Sequence, residues 1–439
     1  MLEGPAERRE RAPVQSVVQS YDKWDMMLGR TLILVFPALL AQGAGPQASI
    51  NGLWDAVVVA DKVEVPFRFE IEKKGNQVQG FFFDGDRKIG STSGSFENGA
   101  LKLEYDFLNS TLEATLGGGQ FQGTYKRNRA NAKPMEFRAH RFTPVPPGKE
   151  EPPKIAGSWD MHRTAPDKSK LDVSWHLYLR QSDSAFSGAI LKTSGDTGML
   201  TGSWRDGKLV MSHFAGERPL VFEAQLNADG TLAITLDHQY TYRAARTIEA
   251  RSKGIAEPPD PSRFTSVKDP TEPFHFQASD LNGKVVSDAD PQFHNKVVIV
   301  TIGGSWCPNC HDEAPFLVEL YRQFHSRGLE IVGLNFEQDS DLALARTPLQ
   351  SFIKRYGIQY TMLVPGIPDE AAKKLPQLAN FGVYPTTIFL GRDGRVRSVH
   401  AGFASAATGD EHVRLKAEER QVVEQLLSEK PQTLEASGR

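Results

Sequence analysis

Both cysteines of the 439-residue chain lie in one short segment, Gly303 to Pro315, with the sequence GGSWCPNCHDEAP. Two residues separate Cys307 from Cys310, and His311 follows directly. A cysteine pair with this spacing is typical of three kinds of site: a redox-active dithiol, one half of a zinc site, or the attachment point of a covalent haem. Each chemistry requires further residues in particular places, so the surrounding sequence discriminates among the three.

A buried strand precedes the cysteine pair and a helix follows it. The run Lys296 to Ile302 (KVVIVTI) is mostly apolar, which is typical of a strand covered on both faces. Apolar residues then recur at helical spacing from Phe316 to Phe324, and Gly328 is placed to end the helix. Leu329 to Phe336 (LEIVGLNF) predicts the next strand. The pair therefore lies at the start of the helix in a strand–helix–strand unit.

Further elements extend this unit on both sides. Upstream, Asp280 to Gly283 (DLNG) predicts a hairpin turn. Downstream, Tyr384-Pro385-Thr386 leads into an apolar strand. The other predicted elements are a helix ending at Gly357, strands at Tyr360–Val364 and Val396–His400, a helix around Asp369–Asn380, and an amphipathic helix at Glu411–Lys430.

Two motifs resemble the thioredoxin superfamily: WCPNC at Trp306–Cys310, between a strand and a helix, and Tyr384-Pro385-Thr386 before a later strand. The resemblance is closest to the exported TlpA-like thiol-disulfide oxidoreductases and covers residues 273 to 430. Pro315 lies where that family kinks its active-site helix, and Asp280–Lys284 resembles the extra hairpin of the TlpA-like and peroxiredoxin branch. The resemblance implies an α/β thioredoxin-like domain that exchanges disulfides without a metal or cofactor.

The resemblance also implies a role for each residue of the site. Cys307 is the nucleophile, since the N-terminus of a helix stabilises its thiolate. Cys310, one helical turn further and more buried, resolves the mixed disulfide, so the two cysteines form a redox-active disulfide. Trp306, Tyr384 and Pro385 contact the substrate, and Pro385 is a cis-proline beside an extended substrate segment.

Three positions depart from the pattern of thioredoxin itself. Thr301 replaces a buried aspartate that lies six residues before the first cysteine. Glu313 instead occupies the place of a glutamate found in TlpA-like proteins, which implies a catalytic role in proton transfer. The alternative for Glu313 is an exposed first-turn residue favoured by the helix dipole. Gly303-Gly304 replaces an aromatic pair, which predicts a more open groove.

The zinc and haem alternatives lack supporting residues. A structural zinc site requires four protein ligands, usually two cysteine pairs or a pair with two histidines, and the chain has one pair. The segment Cys307–His311 matches C-x-x-C-H, the haem attachment motif. Haem, however, explains neither the preceding strand nor Trp306 nor Tyr384-Pro385. In the dithiol interpretation, His311 is a residue on the helix surface.

Two further alternatives concern function rather than site chemistry. A peroxidase of the peroxiredoxin branch carries a threonine or serine three residues before its attacking cysteine, where this chain has Gly304. In the other alternative, the N-terminal part of the chain is a binding or scaffold protein and the redox domain is a passenger. Disulfide-reductase activity of residues 262–439 alone separates an enzyme from a scaffold.

Proline-rich stretches at Thr143–Lys154 and Glu257–Pro261 divide the remaining chain, since such runs form semi-rigid spacers. Strict alternation in Phe67–Glu72 and Leu101–Phe107, with turn residues between the runs, predicts antiparallel strands. The expected domains are a leader (1–48), a β domain (49–143), a linker (144–154), a second β domain (155–251), a linker (252–272), the thioredoxin-like domain (273–430) and a tail (431–439).

The two β domains resemble each other in sequence. Ile50–Asp55 (INGLWD) recurs as Ile155–Asp160 (IAGSWD), and three later segments recur at similar offsets. We therefore expect a tandem duplication of a small antiparallel barrel or sandwich, joined as an extended arm. Trp54 and Trp159 are either core residues, which is the more usual case at the start of a barrel, or the lining of a ligand cavity.

Charge and the N-terminus bear on partners and location. The formal charge of −3 gives no reason to expect a nucleic-acid partner. Thr31–Ala41 is an apolar run that follows Arg30 and precedes small residues, as in a secretory signal cleaved near Gly43. At eleven residues, the run is shorter than the ~20 that a membrane helix needs.

These features together predict an exported thiol-disulfide oxidoreductase of the periplasm or cell envelope, with no transmembrane span in the mature chain. Its expected partners are protein disulfides, which it reduces, and an upstream thiol reductant.

Overall fold

A computed structural model describes residues 49–128, 132–144, 150–164, 174–339 and 341–430. The predicted leader and tail lie outside the described residues. Within them, the chain forms two antiparallel β sheets followed by a mixed sheet with helices. The predicted class is confirmed: two tandem all-β domains precede an α/β thioredoxin-like domain.

The first β unit is a nine-stranded antiparallel sheet in the order β4-β3-β2-β1-β9-β8-β7-β6-β5. It curves into a half-barrel around aromatic residues, with Phe69, Phe82 and Phe121 fully buried on its inner face. Alternation of buried and exposed residues along β6 follows from the two-residue period of a strand. The strands are Gly52–Ala60 (β1), Val63–Lys74 (β2), Gln77–Asp84 (β3), Arg87–Gly90 (β4), Ser93–Glu97 (β5), Ala100–Tyr105 (β6), Ser110–Gly117 (β7), Gln120–Arg127 (β8) and Met135–Arg141 (β9).

The second β unit is a closed barrel. Its sheet has the order β11-β10-β18-β17-β16-β15-β14-β12-β13, and an additional pairing of β11 with β12 closes the ring. The strands are Gly157–Arg163 (β10), Ser174–Ser182 (β11), Ala185–Lys192 (β12), Gly195–Asp196 (β13), Leu200–Arg205 (β14), Lys208–His213 (β15), Leu220–Leu226 (β16), Leu232–Leu236 (β17) and Tyr240–Arg246 (β18).

The same tryptophan–arginine arrangement opens both β units. Trp54 and Trp159 are each 1% exposed. Each indole Nε1 donates to the carbonyl oxygen four residues earlier, at 3.0 Å. Arg141 lies 4.2 Å above the Trp54 ring, and Arg246 lies 4.3 Å above that of Trp159. The two tryptophans therefore plug equivalent cores, and the alternative of a ligand cavity around them is wrong.

The C-terminal sheet has the order β21-β20-β24-β23-β22-β26-β27, with β22, β23 and β24 parallel. The central strand β22 is buried along its whole length, as its apolar sequence predicts. The strands are Ser266–Val267 (β19, paired with β25 outside this sheet), Gln277–Asp280 (β20), Val285–Ser287 (β21), Val297–Gly303 (β22), Leu329–Phe336 (β23), Thr361–Gly366 (β24), Leu378–Ala379 (β25), Thr386–Leu390 (β26) and Val396–Ala401 (β27).

Helices cover this sheet and position the cysteine segment. The helix α2 begins directly after Cys307 and contains Pro315, as predicted. The predicted helix Asp369–Asn380 is largely wrong. Only Ala371–Lys374 is α-helical, because the residue before Pro376 is disfavoured in helical conformation. The helices are Pro261–Phe264 (α1), Pro308–Phe324 (α2), Leu342–Tyr356 (α3), Ala371–Lys374 (α4) and Asp410–Ser428 (α5).

Candidate redox site

A disulfide joins Cys307 and Cys310 at the N-terminus of α2. Cys307 is the N-cap residue, and the backbone N–H of Cys310 donates to its Sγ at 3.2 Å. The first N–H groups of a helix have no partner within the helix, so they stabilise negative charge on an atom placed there. The geometry therefore favours a thiolate on Cys307 when the disulfide is reduced.

Both cysteines are buried. Cys307 is 3% exposed and Cys310 is 5% exposed. The prediction that Cys310 is the more buried of the two is wrong. The reason is that the β units also contact the residues around Cys307, and their presence could not be inferred from the cysteine motif.

Trp306, Tyr384 and Pro385 lie together, as the resemblance implied. The Trp306 and Tyr384 rings meet edge to face with centroids 5.3 Å apart. The indole Nε1 of Trp306 donates to the carbonyl oxygen of Phe336 at 2.7 Å, which fixes the ring against the end of β23. The Tyr384–Pro385 peptide bond is cis, as predicted.

Glu313 lies inside the domain and is not a surface residue of the first turn. It is 2% exposed, and its carboxylate accepts from the hydroxyl of Thr301 at 2.9 Å and from that of Thr387 at 2.5 Å. Burial raises the pKa of Glu313 to about 7, and the two hydroxyl hydrogen bonds offset only part of this effect. Thr301 stands where thioredoxin has a buried aspartate, and its hydroxyl binds the buried carboxyl of Glu313.

Glu313 and Cys310 lie on the same face of α2, since they are three residues apart. Both meet the same strand. A Cβ added at Gly303 would lie 3.0 Å from the Cys310 Sγ, and Glu313 bonds Thr301 two residues earlier on β22. The Glu313 carboxyl and the Cys310 sulfur therefore face the same strand of the sheet.

His311 is buried, so its assignment to the helix surface is wrong. Its ring nitrogens meet the Tyr356 hydroxyl at 2.9 Å and the Ser305 carbonyl oxygen at 2.8 Å. Burial lowers the pKa of His311 to about 3, so the ring is neutral at ordinary pH. Because the Ser305 carbonyl only accepts, Nε2 carries the proton and Nδ1 accepts from Tyr356. With both nitrogens engaged, this imidazole does not fit the axial ligand of a haem.

Glu337 belongs to the site although its sequence position gave no signal. It is 1% exposed and follows β23. Its two carboxylate oxygens accept from the backbone N–H of Ser305 at 2.8 Å and from its hydroxyl at 2.6 Å. Ser305 is therefore hydrogen-bonded to both Glu337 and His311, and these bonds fix the loop that leads to Cys307. The position after a parallel strand is a common place for functional residues, but it does not identify this one.

Glycine is required at position 304. A Cβ there would lie 2.3 Å from the Trp306 Nε1 and 2.7 Å from the carbonyl oxygen of Phe336. The threonine or serine that a peroxiredoxin carries at this place has no room beside Trp306. The expectation of a more open groove at Gly303-Gly304 is wrong, because the Trp306 indole fills the space.

The second β unit reaches the cysteine segment through Arg218. Its guanidinium donates to the Asn309 Oδ1 at 2.7 Å and pairs with Asp312 at 3.0 Å. Arg87 of the first β unit also pairs with Asp312, at 3.1 Å. The Asp312 carboxylate is 4% exposed, whereas the Arg87 side chain is half exposed, so water reaches one side of this contact.

Arg127 of the first β unit supplies a contact on the other side of Cys307. It pairs with Glu217 and donates to the carbonyl oxygen of Trp306 at 3.1 Å. The residues on both sides of Cys307 in sequence, Trp306 before it and Asn309 after it, are thus bound by residues of the β units. The expectation of an extended arm is wrong, because both β units pack against the redox site.

The C-terminal region matches the AhpC/TSA family model over residues 269–399. Curated proteins similar to this region include the thiol-disulfide oxidoreductase ResA of Bacillus anthracis. That protein is 27% identical over 122 residues, which cover 28% of this chain and 63% of the relative. ResA of Bacillus subtilis is 25% identical over 137 residues, which cover 31% and 69% of the two chains. For the first of these relatives, the match thus spans less than two thirds of the relative's length.

Solved structures similar to this chain include a thiol:disulfide interchange protein of the thioredoxin family from Chlorobium tepidum. It is 24% identical with a TM-score of 0.29, and the match covers 37% of this chain and 100% of that one. A DsbF homologue from Corynebacterium diphtheriae is 25% identical with a TM-score of 0.27, covering 35% and 93%. From the family match, the ResA relatives and the WCPNC disulfide at the start of α2, we conclude that the C-terminal region of this chain is a TlpA-like domain of the thioredoxin superfamily.

Proposed function

We propose that this protein is a thiol-disulfide oxidoreductase that reduces disulfides of partner proteins. The observation that carries the proposal is the Cys307–Cys310 disulfide at a helix N-terminus, beside Trp306 and cis-Pro385. The similarity of residues in this region to ResA supports the same chemistry. The reducing direction follows the resemblance to exported TlpA-like proteins.

The reaction proceeds by two exchanges. In the reduced protein, the Cys307 thiolate attacks one sulfur of the partner disulfide, and the other partner sulfur leaves as a thiolate. Cys310 then loses its proton and attacks the Cys307 Sγ, which releases the first partner sulfur. Two electrons pass to the partner, and the Cys307–Cys310 disulfide forms. A second thiol donor, the upstream reductant, restores the dithiol.

Three groups assist these exchanges. The N-terminus of α2 stabilises the Cys307 thiolate. Glu313 accepts the proton of Cys310, since its raised pKa of about 7 allows the carboxyl both to take up and to release a proton near neutral pH. Trp306, Tyr384 and Pro385 form the surface on which an extended segment of the partner lies.

We also propose that the protein acts outside the cytoplasm, in the periplasm or cell envelope, after cleavage near Gly43. The apolar run Thr31–Ala41 supports export and lies outside the described residues. None of the helices that the structure describes is long and apolar enough to cross a membrane. N-terminal sequencing of protein recovered from an envelope fraction tests the proposal, and a chain that retains its first residues contradicts it.

Serine substitution at each cysteine tests the exchange mechanism. Cys310→Ser leaves the nucleophile but removes the resolving thiol, so mixed disulfides with partner proteins should accumulate on non-reducing gels. Cys307→Ser is the matched control and should trap none. Equal trapping by both variants, or trapping by Cys307→Ser alone, contradicts the assignment.

A further inference from the structure

A turn of the second β unit lies against the residue between the two cysteines. We call residues 193–196, which follow β12 and include β13, the 193–196 turn. The Asn309 Nδ2 donates to the Ser194 carbonyl oxygen at 2.6 Å, while its Oδ1 accepts from Arg218 at 2.7 Å. Both ends of the Asn309 amide are therefore occupied by the second β unit.

The opposite side of the 193–196 turn packs on the loop after β27. The Ser405 backbone N–H and hydroxyl both donate to the Asp196 carboxylate, the latter at 3.0 Å. A Cβ added at Gly402 would lie 2.3 Å from the Thr193 carbonyl oxygen, so backbone packs directly on backbone. The Gly402 N–H in turn donates to the carbonyl oxygen of Pro385 at 2.7 Å. The turn thus fills the space between Asn309 and the cis-proline loop.

This placement hides the reacting sulfur. Cys307 is 3% exposed, with Trp306 before it bound by Arg127 and Asn309 after it bound by the turn and Arg218. A thiolate and a disulfide must come into contact for exchange, so access to the attacked sulfur controls the rate. In the part of the chain that the structure describes, the Cys307 side chain is thus covered, and a partner disulfide lying on Trp306, Tyr384 and Pro385 reaches it only if a covering residue moves.

We propose that the 193–196 turn is the specificity-determining element of the redox site, and that a partner reaches Cys307 only by displacing it. The Ser194 carbonyl binds Asn309 as the backbone of an extended peptide can, so the matching partner is a protein with an extended segment beside its disulfide. The segment supplies a carbonyl oxygen to Asn309 in place of Ser194. A small disulfide without such a segment does not displace the turn. The inference rests on the proposed exchange chemistry but concerns access rather than reactivity.

Gly195→Ala is the variant designed to displace the 193–196 turn from Asn309. A Cβ at Gly195 would lie 2.6 Å from the Asn309 side chain and 2.8 Å from the Phe403 carbonyl oxygen. Gly207→Ala is the matched control in the same β unit. Both glycines have positive φ, +112° and +75°, but a Cβ at Gly207 meets no atom within 4 Å. The two variants share backbone strain, and only Gly195→Ala pushes the turn away from the cysteine segment.

The measurement is the rate at which dithiothreitol reduces the Cys307–Cys310 disulfide in the folded full chain, followed by alkylation and mass spectrometry. We expect Gly195→Ala to be reduced about tenfold faster than wild type, and Gly207→Ala at the wild-type rate. Asp196→Ala, which releases Ser405 without adding bulk, should also accelerate reduction and serves if Gly195→Ala does not fold. Equal rates in wild type, Gly195→Ala and Asp196→Ala would overturn the proposal.

The partner class is tested with two disulfides and the reduced full chain. Wild type should reduce an unfolded peptide disulfide in preference to oxidised glutathione, and Gly195→Ala should lose this preference. A preference that stays unchanged in Gly195→Ala contradicts the assignment of specificity to the turn. Failure of the proposed function gives a different result. Cys310→Ser would then trap no partner protein, while dithiothreitol would still reduce the Cys307–Cys310 disulfide faster in Gly195→Ala than in wild type.

Discussion

Glu313 holds a carboxyl group where solvent does not reach it, bound by hydroxyls from two neighbouring strands. Glu419 of α5 is a second buried carboxyl, and Glu313 lies close enough to influence its ionisation. Burial, with a contribution from Glu313, raises the pKa of Glu419 well above its usual range. Within the described residues, neither carboxylate oxygen of Glu419 has a hydrogen-bond partner, so no hydrogen bond offsets the effect of burial on its pKa.

The resolving step should depend on the ionisation of Glu313. The carboxylate is the form that accepts a proton, so the rate at which Cys310 resolves a mixed disulfide should rise with pH through about 7. Glu313→Gln should slow this step about tenfold to a hundredfold and remove that rise. Stopped-flow measurement of mixed-disulfide decay checks both, with Glu319→Gln on the same helix as control. If the resolution rate of Glu313→Gln still rises with pH near 7, a group other than Glu313 causes the rise.

Stability should also depend on Glu313. Between 4.5, its ordinary pKa, and about 7, the unfolded chain releases a proton that the folded protein keeps. The free energy of unfolding should therefore fall as the pH rises through this window, by at most about 3 kcal/mol, and level off above it. Denaturant unfolding at about pH 5 and about pH 8 should show a smaller fall in Glu313→Gln than in wild type, since Glu419, whose pKa is also raised, contributes to the fall in both.

Glu319→Gln again provides the control for stability. Lys416 and Arg420 lower the pKa of Glu319 against the effect of its burial. A group with a depressed pKa loses its contribution only as the pH falls below the ordinary value. Glu319→Gln should therefore leave the change between pH 5 and pH 8 as in wild type. An unchanged fall in Glu313→Gln would place the responsible group elsewhere.

At the scale of elements, the loop between β22 and α2 fixes how Cys307 is presented. Trp306 is seated over Gly304, and Ser305 is held by His311 and Glu337. Gly304→Ser should displace the Trp306 indole, cost about 1–3 kcal/mol of stability through overpacking, and change the tryptophan fluorescence. It should not create peroxidase activity, although it supplies the hydroxyl of a peroxiredoxin.

Gly117→Ser is the matched control for that loop. Like Gly304, Gly117 has no positive φ, and a Cβ added there meets nothing within 4 Å. Its stability and fluorescence should equal those of wild type in chemical denaturation. A stable Gly304→Ser protein with wild-type fluorescence would show that the loop adapts to a side chain.

The sequence predicts elements well where the pattern is local. The apolar run of β22, the DLNG hairpin, and the helix that starts after Cys307 all follow from period, turn chemistry and capping. The helix around Asp369–Asn380 fails where Pro376 overrides the surrounding helix-forming residues. The burial of His311 was not predictable, because it depends on Tyr356 of α3 and Ser305 of the loop, which meet only in the fold.

At the scale of the whole molecule, ion pairs around one buried carboxylate join the three units. Asp312 of α2 pairs with Arg87 of the first β unit and Arg218 of the second. Asp312→Ala should leave the largely buried guanidinium of Arg218 without this partner and cost up to about 3 kcal/mol of stability, since the half-exposed Arg87 is hydrated in the variant. Calorimetry checks the loss, with Asp229→Ala as control because its pair with Arg243 lies on the surface. A small effect of Asp312→Ala would indicate that water reaches these charges.

These contacts between units could not be predicted from the sequence. Arg218 is more than 90 residues from Asp312 along the chain, and nothing in its neighbours distinguishes it from an ordinary arginine in a turn. Catalytic cysteines carry a local motif, whereas residues that cover them from another unit do not. The sequence therefore indicated the chemistry of the redox site but not that the two β units pack around it.

The matching tryptophan–arginine stacks of the two β units have a consequence for how the chain accepts mutation. Both β units begin with this stack, yet they contact the cysteine segment through different residues, Arg127 from the first unit and Arg218 from the second. The first β unit therefore cannot make the contact of Arg218, and the second cannot make the contact of Arg127. In a library of random substitutions, Trp54 and Trp159 should therefore tolerate substitution to a similar, low degree. Arg127 and Arg218, in contrast, should tolerate few substitutions, whereas the corresponding position in the other β unit should tolerate many.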